Sequence, residues 1–266
     1  PPTGFNDGNL FLIPKKDTLL PTDTRPIAVN NSENRIIARA ASLAIIPSLK
    51  KHIQPEQNGF IPGRQGSDHI KTISSLFYGA VESGRPIDIL SIDTRKAFDS
   101  ISVPFLHASL KAFNLPDWLS NLVSGLYVAA RVTPVTGSAP TDVWINLRRG
   151  VRQGCPLSPL LFAIVMDPLV ERLRLIPGVE VCAFADDLEF AAHNRAALAR
   201  VMRIVSRFSK HSGLGVNTDK TSVTSTGDPQ ALRDWIALFS PWKDLQVRDR
   251  CLYLGVLIGD VSTEDV

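Results

Sequence analysis

Apolar positions along this chain change their period several times, and each change marks an element. Leu10 to Ile13 is a short apolar run closed by Pro14-Lys15-Lys16 and reads as a strand. A loop with Pro21 and Asp23 leads into Thr24-Arg25-Pro26-Ile27. From Arg35 to Ile46, Ile36, Ile37, Ala40, Leu43 and Ala44 recur at helical spacing, and Pro47 is expected to end or kink that helix. A Gly/Pro loop, Asn58 to Gly66, opens a second helix over about Asp68 to Ser83. Ile87 to Ile92 reads as a buried strand feeding straight into Asp93. Helices are expected over Pro104 to Ala112 and Asp117 to Tyr127, and a hairpin over Arg131 to Leu147. Ser158 as N-cap and Pro159 in the first turn start an apolar helix running to about Arg174. Glu180 to Ala192 reads as strand, turn, strand, with Asp186-Asp187 in the turn. Asn194 caps a helix that ends at Gly213. Thr221 to Ser225 reads as a strand, Pro229 to Phe239 as a helix, and Cys251 to Ile258 as one last strand.

Strands and helices mix without regular βαβ alternation, so the fold class is α+β. With 266 residues, 44% hydrophobic and 21% charged, the chain has the make-up of a globular protein with a substantial core. Its net charge of +3 is compatible with nucleic acid without requiring it. Cys155, Cys182 and Cys251 are odd in number and widely spaced, which disfavours a zinc knuckle or a disulfide framework and fits a reducing, intracellular setting. The apolar run Leu160 to Met166 is too short to cross a bilayer, and no membrane partner is expected. The opening Pro1-Pro2-Thr3, without an initiator Met, is expected to belong to a longer polypeptide.

Three blocks carry candidate chemistry. In Ser91-Ile92-Asp93-Thr94-Arg95-Lys96-Ala97-Phe98-Asp99 a carboxylate stands at the end of a buried strand, as a rigid ligand or as a simple helix cap. In Ala183-Phe184-Ala185-Asp186-Asp187-Leu188 two carboxylates share a tight turn, where Asn-Gly or Asp-Gly is usual. Such a pair is electrostatically poor unless a hard divalent cation offsets it; the alternative is a solvated acidic turn. Gly150-Val151-Arg152-Gln153-Gly154-Cys155-Pro156-Leu157-Ser158-Pro159 is a shaped loop running into a helix, able to bring backbone and Gln153 close to a flat ligand.

In this order and wording, Asp-x-x-x-Ala-Phe-Asp, Arg-Gln-Gly-Cys-Pro-Leu-Ser-Pro and Phe-Ala-Asp-Asp resemble the palm motifs of reverse transcriptases of non-LTR (LINE-type) retrotransposons. Ile13-Pro14-Lys15 with Arg25-Pro26-Ile27, and Gln57-Asn58-Gly59-Phe60-Ile61-Pro62-Gly63-Arg64, resemble the family's fingers motifs. Gly213-Leu214-Gly215-Val216-Asn217 with Lys220-Thr221 resembles the segment after the catalytic hairpin, and Leu252-Tyr253-Leu254-Gly255 the start of the primer grip. Phe184 stands where many members have Tyr.

The resemblance implies a right-hand polymerase: fingers at 1–85 and 104–149, an antiparallel palm sheet backed by helices at 86–103 and 150–258, and at 259–266 the start of a connection to a thumb absent from this chain. It implies RNA-directed DNA synthesis, with nucleotidyl transfer from dNTP to a primer 3′-hydroxyl on an RNA template and DNA primer. Asp93, Asp186 and Asp187 would hold two Mg²⁺ ions, for which Mn²⁺ can substitute, about 3.5–4 Å apart. Lys15 and Arg25 would grip the triphosphate, Lys16 being the alternative to Lys15. Gln153 and Gly154 would lie against the incoming nucleotide. Phe98, five residues after Asp93, would exclude a ribose 2′-hydroxyl, its other reading being a core aromatic. Lys220 would protonate the pyrophosphate or is a strand-flanking surface lysine. A retroelement ribonucleoprotein implies the nucleus.

The rivals are a catalytically silent, domesticated RNA-binding or scaffold domain, an RNA-dependent RNA polymerase and a group II intron maturase. Independently of any resemblance, Arg200, Arg203, Arg207 and Lys210 share one helix face, either to track a phosphate backbone or as a solvated surface.

Overall fold

The computed structural model describes residues 1–15, 20, 23–238 and 242–259. Asp7–Pro14 (β1) and Thr24–Asn30 (β2) pair antiparallel, Pro14 facing Thr24. The next helix, Ser32–His52 (α1), runs through Pro47, contrary to the expected break. Pro47 and Leu43, whose carbonyl the proline leaves without its helical donor, are both exposed, so water can satisfy that carbonyl.

The apolar positions that mark α1 as a helix are not the face it buries. Asn34, Ala38, Ala41, Ser42, Ile45 and Leu49 turn inward, while Ile36 and Leu43 are 68% and 54% exposed. A polar anchor decides the face: Asn34 donates to Asn6 Oδ1 at 2.9 Å and accepts from Asn30 Nδ2 at 3.1 Å. Turning the helix to bury its isoleucines would strand those buried amides.

Gly66–Ser83 (α2) and Asp88–Ile92 (β3) form as expected. A single turn, Ala97–Ser100 (α3), precedes Val103–Ala112 (α4) and Asp117–Tyr127 (α5). Arg131–Thr136 (β4) pairs with the short Ala139–Pro140 (β5) and Ile145–Asn146 (β6), completing the expected hairpin, and also runs parallel to β1. Ser158–Arg174 (α6) begins at Ser158, which does not act as the expected N-cap: its hydroxyl pairs with the Tyr127 hydroxyl at 3.0 Å. Val179–Phe184 (β7) and Asp187–Ala192 (β8) form a hairpin. Arg195–Ser212 (α7) is capped by Asn194, whose side chain accepts from Ala197 N–H, and stops at Gly213. Ser222–Ser225 (β9), Pro229–Ile236 (α8) and Gln246–Arg248 (β10) follow; Phe239, the expected end of α8, lies outside the described residues. The expected single terminal strand is instead a hairpin, Arg250–Tyr253 (β11) and Val256–Gly259 (β12), because Leu254 and Gly255 take φ +48° and +82° and reverse the chain. Residues 260–266 of the expected thumb connection lie outside the described residues.

The chain divides into two compact units, 1–52 with 96–165 and 53–95 with 166–266. The first contains a sheet in the order β2-β1-β4-β5, β6 also pairing with β4, and the helices α1, α4 and α5. The second contains the sheet β10-β9-β3-β8-β7, antiparallel from β9 to β7 as expected. Its edge strand β10 runs parallel to β9, because the connection passes through the crossover helix α8. These units cut the chain differently from the expected fingers and palm ranges. Residues 53–85 join the second unit because α2 packs on β7 and β12. Residues 150 and 151 join the first, where their amides bond to Ile101 O and Phe98 O at 2.7 Å each.

Within the second unit both faces of the sheet are covered. Ile73 and Phe77 of α2 meet Ile89, Cys182 and Ala191 on one face, with Tyr253 and Ile258 of the terminal hairpin. On the other, α7 packs against β8 and β3. All three cysteines are buried and free. Among the described residues no helix is long and apolar enough to cross a membrane.

Candidate active site

Strand register builds the acidic site. Antiparallel β3 and β8 set Ser91 opposite Glu189 and Ile92 opposite Leu188. One further step of the same register sets Asp93 opposite Asp187. Asp187 also pairs with Phe184 across a two-residue turn made of Ala185 and Asp186. Side chains alternate, so Ser91, Asp93, Asp187 and Glu189 share one face, while Ile92 and Leu188 turn to the other. Ile92 and Leu188 there line a small cavity with Val205 and Phe208 of α7.

Asp93 is held at three points. Its Oδ2 accepts from Asn217 Nδ2 at 2.8 Å, its carbonyl accepts from Asn217 N–H at 2.8 Å, and its N–H donates to Thr221 Oγ1 at 3.2 Å. The segment Gly213 to Thr221 therefore has a definite task, fixing the carboxylate at the strand end. Asp186 is half-buried and Asp187 exposed. The Asp187 carboxyl is pushed up to about 6 by burial and then by the negative charges of Asp186 and Asp93. The three carboxylates thus feel one another.

Asp93, Asp187, Glu189, Lys220, Arg248 and Tyr253 line a cavity of about 260 Å³. Glu189 is not among the residues expected at the site, although an acid inside the buried run Leu188-Glu189-Phe190 is a signal. Glu189 is 3% exposed and accepts from Ser91 Oγ at 2.7 Å. Burial pushes its carboxyl up to about 8. Among the described residues no three His, Cys, Asp or Glu side chains stand close enough to hold a metal ion by themselves, so the expected tight carboxylate cluster is not preformed. The donor set, oxygen-only and mutually repelling, fits a hard cation whose coordination a ligand's oxygens complete.

Gln57 is a second residue not expected at the site. It is fully buried, and its Oε1 accepts from Gly59 N–H at 3.0 Å and from Ala185 N–H at 3.3 Å. Asn58 N–H bonds to Ala183 O at 2.8 Å and Ala183 N–H to Glu56 O at 2.9 Å. Arg64 locks the same loop from behind, donating to Ile53 O, Gln54 O and Gln57 O. A Cβ on Gly59 would lie 2.0 Å from Ala185 N. The motif from Gln57 to Arg64 is thus a brace for the acidic turn.

The remaining predicted residues lie in the first unit. Lys15 closes β1, donating its N–H to Asp23 O at 2.9 Å, and exposed Arg25 faces Ile13 on β2. Lys16 lies outside the described residues. Gln153 accepts from Ala28 N–H through its carbonyl at 2.7 Å and donates through Nε2 to Asp99 Oδ2 at 3.4 Å. Gly154 backs closely onto Ala28 O. Burial raises the Asp99 carboxyl, while Lys96 and Lys15 pull it down. Gln153 and Asp99 line a cavity of about 360 Å³ with Pro26, Arg148 and Arg149. Half-buried Phe98 stacks on Phe162, ring centres 4.8 Å apart and planes 6° from parallel. Lys15 and Gln153 meet at Asp99 in one unit, where Phe98 turns to Phe162 and Gly154 to Ala28; in the other, Asp93, Asp187 and Lys220 line one cavity, and Asp187 feels the charges of Asp186 and Asp93.

A family model described as "Reverse transcriptase (RNA-dependent DNA polymerase)" matches residues 13–258. A protein of transposon TX1 of Xenopus laevis is 29% identical over 94% of this chain and 20% of its own length. The Pol polyprotein of retrotransposable element R2DM of Drosophila melanogaster is 31% identical over 82% of this chain and 21% of its own. The R2 polyprotein of Popillia japonica is 28% identical, with 85% and 33% covered. The chain thus spans between a fifth and a third of these relatives. Among solved structures, apo telomerase of Candida tropicalis truncated from its C-terminal domain superposes with a TM-score of 0.66 at 15% identity, covering 96% of this chain and 53% of that one. That likeness shows a shared fold of mixed sheets and helices.

Proposed function

The chain belongs to the reverse transcriptase (RNA-dependent DNA polymerase) family, and on that premise we propose that it is the polymerising core of a non-LTR retrotransposon protein, copying RNA into DNA from dNTPs. The observation that carries this reading is the register that brings Asp93, Asp186 and Asp187 to one end of the β3–β8 pair. Asp93 and Asp186 would hold two Mg²⁺ ions, or Mn²⁺ in their place, with Asp187 a lesser ligand. Such ions would lower the pKa of a primer 3′-hydroxyl and neutralise charge on the leaving pyrophosphate.

The rest is done by side chains. Asn217 holds one oxygen of Asp93, which fixes the carboxylate where a cation would meet it. Exposed Lys220, on the rim of the acidic cavity, would give a proton to the pyrophosphate. Glu189, with its raised affinity for a proton, adds little charge beside Asp187 near neutral pH. Lys15 and Arg25 would meet the triphosphate, as cations suit oxygens that gain charge. Gln153 and Gly154 would lie against the nucleotide, and Phe98, backed by Phe162, would block a ribose 2′-hydroxyl. As subdomains of a polymerase, the fingers would comprise 1–85 with 104–149 and the palm 86–103 with 150–258, which need not follow the compact packing units. RNA template and DNA primer are the partners, within an intracellular, nuclear ribonucleoprotein.

The test is primer extension by the full-length parent protein. Wild type should extend a DNA primer on RNA with dNTPs, Asp186→Asn should lose most of that activity, and Phe98→Ala should accept NTPs more readily. Full extension by Asp186→Asn would refute the reading.

A further inference from the structure

The net positive charge of this chain depends on one helix. Over its 18 residues α7 carries Arg195, Arg200, Arg203, Arg207 and Lys210 and no acid. Without it, the chain's 29 cations and 26 anions fall to 24 against 26, and the remainder is net acidic. Arg195 is used internally, paired with Asp88 at 3.2 Å and lying over the Trp235 ring. The other four are exposed, and none makes an ion pair among the described residues. Their spacings of three, four and three residues place them on one face, opposite Ala197, Leu198, Val201, Met202 and Val205, which are buried. At 1.5 Å per residue the row is about 15 Å long, the length of about four steps along a duplex.

An exposed helix of this size usually mixes signs, since like charges at i, i+3 and i, i+4 repel and each costs a few tenths of a kcal/mol. An anionic partner that matches the length of the row would relieve that repulsion. We propose that this face of α7 is a docking surface for the phosphate backbone of RNA, additional to the strand being copied. The inference rests on the function proposed above for its choice of RNA as the polyanion. The sheet supports the separation of the two surfaces: α7 packs on the face of Ile92 and Leu188, whereas Asp93 and Asp187 turn to the opposite face. RNA held along Arg200, Arg203, Arg207 and Lys210 therefore does not occupy the reacting groups. Backbone recognition of this kind is independent of sequence and strongly dependent on salt.

The experiment uses the full-length protein and the variant Arg200→Gln/Arg203→Gln/Arg207→Gln/Lys210→Gln. Glutamine keeps helix propensity, and circular dichroism confirms folding. Affinity for duplex and single-stranded RNA is measured against salt. Four lost phosphate contacts should make the slope of log K against log salt less negative by about 3 and weaken binding at least tenfold at moderate salt, for every RNA sequence tried. Extension of a short primer–template at low salt should stay near the wild-type rate. A slope unchanged within error would overturn the proposal, as would binding of wild type to anionic vesicles or an acidic peptide with RNA affinity unaltered in the variant. If wild type extends no primer at all, the polymerase reading fails, while the slope still decides whether α7 holds RNA.

Discussion

Two hairpins of the second unit each reverse over two residues and live in opposite circumstances. In β7–β8, Ala185 and Asp186 connect the paired residues Phe184 and Asp187; in β11–β12, Leu254 and Gly255 connect Tyr253 and Val256. Both turns open on a non-glycine residue at positive φ, +57° at Ala185 and +48° at Leu254, each costing about 1–2 kcal/mol. The terminal turn also needs positive φ at its second position, and there a glycine in open solvent takes it without strain. The acidic turn has no glycine and carries a carboxylate next to another. It is held from outside, by Gln57 Oε1 on the Ala185 amide and by Gly59 against the same backbone. A turn whose residues are chosen for chemistry needs a second chain segment to keep its shape.

Alanine at the two glycines gives the sharpest break. At Gly59 the new Cβ would sit 2.0 Å from Ala185 N and 2.7 Å from its Cα, backbone atoms that cannot move without moving Asp186. Gly59→Ala should destabilise by about 3 kcal/mol or more and lower turnover at least a hundredfold. Gly255→Ala meets nothing within 4 Å and bears only the strain of φ +82°, about 1 kcal/mol. Urea unfolding of both variants measures this, and equal losses would show that the brace is not needed.

Gln57 tests the brace by chemistry rather than bulk. Gln57→Leu leaves the Gly59 and Ala185 amides without their acceptor in a buried site, a loss of about 2 kcal/mol. Gln57→Glu keeps both acceptors and should recover much of the stability. With dNTP as substrate, the leucine variant should lose kcat more than it raises KM, because the acidic turn and not the nucleotide contacts has shifted. A pure KM effect would place Gln57 in substrate binding instead.

These hairpins also show what could be read from the chain. The acidic turn was legible because an Asp-Asp pair between two apolar period-2 runs contradicts ordinary turn chemistry. Asp93 was legible because a buried strand points at it. The brace was not: Gln57 is more than 120 residues from Ala185, and no local period reports an amide aimed at a distant backbone. The inward face of α1 was missed for the same reason, since Asn6, Asn30 and Asn34 outrank the isoleucines through contacts that only the fold creates. The terminal hairpin was misread as one strand because its apolar alternation continues across Leu254 and only Gly255 marks the reversal. Motif order located the chemistry, while the polar contacts that hold it in place had no sequence signature.

The smallest effect separates the two turns by charge. Leu254-Gly255 carries no titrating group, whereas the Asp187 carboxyl is raised from its ordinary 3.8 to about 6 by burial, Asp186 and Asp93. A carboxyl whose folded value is raised binds its proton more tightly in the native state. Its favourable contribution is therefore complete below about pH 3.8 and is lost as pH rises through about 6. Wild type in a chelator-treated buffer should lose stability over that interval relative to Asp187→Asn, which has no charge to lose. Asp187 is exposed, so solvent screens much of the repulsion and the difference should stay below about 1 kcal/mol. Thermal melts of the pair between pH 4 and 7.5 resolve this, with Gly255→Ala as a reference that adds no titration. If the two curves run parallel across the interval, the carboxylates of the acidic turn do not strain one another, and the reason for bracing it must be sought in the backbone conformation of Ala185 alone.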